Sequence, residues 1–139
     1  MIEVVNRQRK VRIDAGRWQS FSEKALAAIR TEADDATIAF VSNRQIKDLN
    51  RRFRGINKAT DVLSFPAGDE PTGTRTNLGD IAISLERATI QAKENQIKLD
   101  DEIAQLILHG LLHLCGYDHE SDDGQMNRLE LKLRKKLGI

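Results

Sequence analysis

Residues 100–119 read DDEIAQLILHGLLHLCGYDH, and this stretch decides how the rest of the chain is arranged. Ile103, Leu106, Ile107, Leu108, Leu111, Leu112 and Leu114 leave almost no polar side on a helix running to Cys115, with Asp100 and Asp101 at the end where negative charge is favoured. A helix apolar around its circumference is central and buried. The chain has three histidines, His109, His113 and His119, all in this stretch. Residues four apart share a helix face, so His109 and His113 can offer two imidazoles to one ion, and Gly116 can end the helix and turn the chain back to bring in His119. Three neutral nitrogens would leave one position open, the arrangement of a catalytic zinc site.

A lone histidine on an apolar helix is more often a hydrogen-bonded core residue than a ligand. Three at this spacing around a glycine favour a metal site. The pattern matches H-E-x-x-H-x-x-G-x-x-H except at one position. Gly110 stands where a metallopeptidase carries its general base, so peptide hydrolysis by the usual route lacks a proton acceptor.

Outward from this stretch, the 139 residues are enough for one domain with its own core, and no repeat, linker or low-complexity tract divides residues 1–139. Any metal is therefore for chemistry rather than for holding the fold. The single Cys115 has no partner for an internal disulfide and is read as packing. The N-terminal residues carry no apolar run suited to a signal peptide or membrane span, and a cytoplasmic protein is expected. A net charge of +1 excludes a strongly basic nucleic-acid binder, but the charge is unevenly placed. Arg44, Lys47, Arg51, Arg52, Arg54 and Lys58 cluster against Asp48 alone, while acidic residues gather at Asp100 to Glu102 and from Asp118 to Asp123. The bland reading of such a run is a solvated helix face.

The pattern predicts strand, helix, strand, helix, strand, strand, helix, helix, helix. Extended segments are expected at Ile2 to Val5 and Val11 to Ile13, then a helix from Arg17 to Thr31 and a strand at Thr37 to Val41. Ser42 or Asn43 caps a helix with Ile46, Leu49 and Phe53 inward, ended by Gly55. Thr60 to Phe65 reads as a strand, Ala67 to Asn77 as a long loop, and Leu78 to Ser84 as a strand whose Ser84 caps a helix through Gln96. Ser121 or Asp122 caps the last helix, with Met126, Leu129, Leu133 and Leu137 inward. Helices outnumber strands, which points to an α+β domain: a small mixed sheet packed with several helices, and the histidines on a buried helix near the C-terminus.

The histidine segment, together with LNRRFRGINKATDVLSFP at residues 49–66 and LGDI at 78–81, resembles the YbeY family of bacterial endoribonucleases, the ribosomal RNA maturation factors. The resemblance spans essentially the whole chain. It implies a metal held by His109, His113 and His119, a functionally important Arg54, cleavage of single-stranded RNA, maturation of the 3′ end of 16S ribosomal RNA, and ribosome quality control. Ala59 stands where the family often has proline.

On this reading one divalent ion, with zinc the first candidate, activates water. Arg54 meets the scissile phosphate, and Arg51, Arg52 and Lys58 follow the flanking RNA backbone. Asp118 is read first as a turn residue and second as a support for the site. The expected partners are single-stranded ribosomal RNA and components of the small subunit, with neither membrane nor DNA. The rivals are a zinc hydrolase of peptidase type, and a ribosome-associated binding protein with a structural metal.

Overall fold

The computed structural model describes residues 1–31, 35–67, 77–118 and 122–139. Its order is β1 (Ile2–Asn6), α1 (Ala15–Ile29), β2 (Asp35–Val41), α2 (Asn43–Arg54), β3 (Val62–Pro66), β4 (Asn77–Ser84), α3 (Leu85–Glu94), α4 (Leu99–Leu114) and α5 (Gln125–Leu137). This is the predicted sequence of elements and an α+β fold. The sheet order is β1-β2-β4-β3, parallel between β1, β2 and β4, with β3 antiparallel on the edge.

Strand alternation divides the core in two. Ile38 and Phe40 of β2 and Ile81 and Ile83 of β4 pack with Ile107, Leu108, Leu111 and Leu112 of α4, all nearly or fully buried. On the opposite face Val41, Leu63 and Ala82 meet Ile46 of α2. The larger cluster also takes in α1 and α5 through Trp18, Ala25, Met126 and Leu133, so α4 is surrounded as its composition requires.

Three expectations need correction. Val11 to Ile13 forms no strand, because the Gln8 side chain serves both backbone groups of Val11, accepting from its N–H at 2.9 Å and donating to its carbonyl at 2.8 Å. Helix α1 begins earlier than Arg17 and stops before Thr31. Asp14 accepts from the Arg17 N–H, and Arg30 adopts a left-handed conformation at the other end. Phe53 does not point inward. It is 66 % exposed, because the last turn of α2 runs out over edge strand β3 and rests edge-on against Phe65.

Helix α2 starts with a reciprocal capping box between Ser42 and Gln45, worth about 1 kcal/mol. From within the helix the buried Asn50 donates to the Lys58 carbonyl at 2.9 Å and ties down the turn leading into β3. The N-cap of the last helix is Gly124 rather than Asp122, but the Asp122 carboxylate still serves that end, accepting from the N–H groups of Gly124 and Met126 at 2.7 and 2.9 Å. Ser121, the alternative cap, lies outside the described residues, as does most of the expected loop between Ala67 and Asn77.

Gly79 has φ +131° where β4 passes the end of β3, and a Cβ there would strike the Phe65 carbonyl oxygen and approach the Ala67 nitrogen to 2.8 Å. These contacts are all with the backbone of Phe65, Pro66 and Ala67, which cannot yield as a side chain would. Gly79→Ala is expected to cost more than about 4 kcal/mol, whereas Gly116→Ala, with open space around the new methyl, should cost only about 1–2 kcal/mol for its left-handed backbone. Urea denaturation separates the two, and equal midpoints would contradict the packing described.

Candidate metal centre and phosphate cleft

Helix α4 places His109 and His113 one turn apart. Their Nε2 atoms face each other at 3.1 Å, close to the roughly 3.3–3.4 Å edge of a tetrahedron with about 2.0–2.1 Å zinc–nitrogen bonds. The Nδ1 atom of His109 lies 3.0 Å from Glu130 Oε1 on α5. A carboxylate there fixes the tautomer: Nδ1 carries the proton and donates it to Glu130, leaving the Nε2 lone pair directed at His113. The donor chemistry therefore fits a divalent transition-metal ion. Among the described residues no group of three His, Cys, Asp or Glu is gathered for a metal; the expected third ligand, His119, lies outside them.

The helix ends as the glycine predicts. Tyr117 N–H bonds to the Leu112 carbonyl at 3.1 Å and Gly116 N–H to the His113 carbonyl at 3.0 Å, with Gly116 at φ +96°. These are the two bonds of a Schellman motif, which reverses the chain. Tyr117 and Asp118 then line the same cleft as the histidines. Cys115 is partly buried against the core, in keeping with a packing role. Met126 is fully buried in that core.

The cleft has a volume of about 460 Å³. Its walls are His109 and His113 on one side and edge strand β3, through Val62, Ser64 and Pro66, on another. Arg54, the last residue of α2, enters from a third direction. It is exposed and has no carboxylate partner among the described residues. Of the four basic residues singled out in the sequence, Arg54 alone lines this cleft. Arg51 and Arg52 both pair with Asp48, at 2.6 and 3.5 Å, and Arg51 borders a separate hollow with Arg44 and Lys47. Lys58 is exposed on the turn after α2.

Gly110 faces the sheet. A Cβ at this position would come within 2.9 Å of the buried Ile81 side chain, so the glutamate of the peptidase pattern has no room here.

Glu130 is the functional residue that sequence reasoning missed. It lies four residues after Met126 and three before Leu133, on the buried face of α5, and a charged residue at such a position is itself a signal. Burial pushes its carboxyl up. The hydrogen bond from His109 and the nearby Arg134 guanidinium outweigh that effect and hold it below the ordinary glutamate value. Arg134 approaches the same oxygen at 3.7 Å. Behind this pair, Gln91, with its amide nitrogen facing both acids, donates to Asp61 at 3.1 Å and Glu102 at 2.8 Å. The Glu102 carboxyl is pushed up, by burial first and then by the Asp61 charge.

Glu130→Ala is expected to weaken metal affinity 10- to 100-fold, the usual effect of removing such a partner, with Glu130→Gln intermediate because its amide oxygen still accepts from Nδ1. A competition titration against a chelator checks this, and unchanged affinity in both variants would remove Glu130 from the centre.

The profile of the family described as endoribonuclease YbeY matches residues 3–138. This chain belongs to the YbeY endoribonuclease family. The endoribonuclease YbeY of Alkaliphilus metalliredigens is 38 % identical over 144 aligned positions, spanning 96 % of this chain and 93 % of that one. The YbeY of Campylobacter fetus subsp. fetus is 42 % identical over 114, spanning 82 % of each. The solution structure of TM1509 from Thermotoga maritima superposes with a TM-score of 0.67 at 26 % identity, covering 99 % of this chain and 89 % of that protein. The YbeY fold thus carries the cleft described above.

Proposed function

We propose that this YbeY family member is a metal-dependent endoribonuclease that cleaves single-stranded RNA in the cleft between α4 and β3. The observation that carries the reading is the convergence of the His109 and His113 Nε2 atoms beside the guanidinium of Arg54, which has no carboxylate partner among the described residues. His119 would complete the ligand set. A divalent ion held there, with zinc the first candidate, supplies an electrophile and an activated water at neutral pH.

The chain's own groups do the rest. Glu130 holds the His109 ring and, by accepting the hydrogen bond from Nδ1–H, makes Nε2 the ligating nitrogen. Arg54 offers a planar fork of N–H donors that matches a phosphate and gains strength as charge develops on it in the transition state. Single-stranded RNA suits the cleft because a flexible backbone can bring one phosphate down to recessed histidines. The proposed substrate is ribosomal RNA at the 3′ end of the 16S species, with ribosome quality control as the setting, the cytoplasm as the location and small-subunit components as partners. Among the described residues no helix is long and apolar enough to cross a membrane.

The test is cleavage of matched single- and double-stranded RNA by protein stripped with a chelator and then resupplied with metal. Single strands are expected to be cut only by the metal-loaded protein, while the far-ultraviolet circular dichroism of the stripped protein stays that of a folded chain. Loss of the fold on chelation would favour the structural-metal rival. Undiminished cleavage after stripping would contradict the proposal.

A further inference from the structure

The face of the sheet that carries α2 is only partly covered. Beside the helix lies an apolar groove of about 390 Å³, floored by Ala39, Val41 and Ala82 and walled by Leu49, Phe53 and Phe65. Phe53 is 66 % exposed, an unusual position for a large aromatic ring that the helical pattern would turn inward. It is held in place, with its ring centre 5.3 Å from that of Phe65 and the two planes at 66°.

The groove adjoins the cleft by construction. Phe53 immediately precedes Arg54 on α2. On β3, Ser64 lines the cleft while its neighbour Phe65 lines the groove, because successive strand residues face opposite sides. The edge strand is thus a ridge with a phosphate-binding arginine on one side and an aromatic wall on the other. Charge at the groove is mixed, with Arg7 and Asp80 both in its lining, while Arg54 follows Phe53 directly in the chain.

We infer that this groove is a stacking platform for an unpaired base of the RNA whose phosphate is held by Arg54. The inference rests on the endoribonuclease reading and deepens it. An exposed aromatic ring beside a phosphate site is what sequence-tolerant recognition of single strands uses, since every base has a flat apolar face. A base within a duplex is stacked on its neighbours and unavailable, so the platform also selects for single strands. Continuity with the cleft, and the Arg54 guanidinium next to Phe53 in the chain, favour a nucleobase over a partner protein as the occupant.

The experiment measures binding by the full chain of a labelled single-stranded RNA of about ten nucleotides, a length within reach of one binding groove, in the presence of chelator so that cleavage does not intervene. Phe53→Ala is expected to weaken affinity about tenfold, and Phe53→Trp to preserve it. The introduced indole should be quenched by RNA against the constant background of Trp18, which is buried. An abasic version of the same RNA should bind the original protein and Phe53→Ala alike. Equal affinity of both proteins for the intact RNA would overturn the platform alone. So would an indole emission unmoved at saturating RNA, or a Phe53-dependent self-association marking the groove as a protein interface. No binding of single-stranded RNA by the unsubstituted chain would overturn both the platform and the endoribonuclease reading.

Discussion

Arg54→Ala is expected to lower the rate of RNA cleavage about 10²- to 10³-fold while leaving metal content and stability almost unchanged. The magnitude is that of removing one preorganised donor from a developing anionic charge. An alternative account gives Arg54 a purely local task, since it sits in the last turn of α2 with Arg51 and Arg52, where positive charge meets the helix dipole. That interaction is worth at most about 1 kcal/mol at an exposed site, and two other arginines already supply it. It cannot account for a hundredfold loss in a protein that remains folded. Arg54→Lys should recover only part of the rate, because an ammonium keeps the charge and loses the planar fork. A large fall in melting temperature with cleavage retained would support the local account.

The second large effect is expected at the histidines. His109→Ala and His113→Ala should each reduce cleavage by more than about 100-fold, beyond the upper end of what the loss of a supporting group costs. Each removes one of the two Nε2 atoms that meet at 3.1 Å. The fold should survive both. The core is built from buried aliphatic residues of the sheet and α4, whereas both rings reach into the open cleft. Inductively coupled plasma analysis of the purified variants measures the metal directly. Full occupancy in both would place the ion elsewhere.

Much of this was legible in the chain. The order of the nine elements among the described residues, the buried α4, the turn at Gly116 and the pairing of His109 with His113 follow from periodicity and spacing, which local geometry enforces. Sheet order was not, because β-strand pairing is set by contacts between distant residues, and nothing local says that β4 lies between β2 and β3. Phe53 misled for a related reason. Its spacing from Ile46 and Leu49 is helical, yet inwardness depends on what lies beneath, and beside the last turn of α2 lies an open groove. Val11 looked extended by composition, but a side chain three residues earlier took up its backbone groups. Glu130 was hidden by distance: 21 residues separate it from His109, and only the packing of α5 on α4 joins them.

The central claim is that His109 and His113 hold the ion that cleaves RNA, and cobalt(II) substitution tests it most directly. Cobalt added to the stripped protein should bind with one equivalent and give the strong visible absorption of a four-coordinate centre. Cleavage of single-stranded RNA should rise in step with that absorption, and both should be absent in His113→Ala. Cleavage that appears without the cobalt band, or a band that persists undiminished in His113→Ala, would contradict the account.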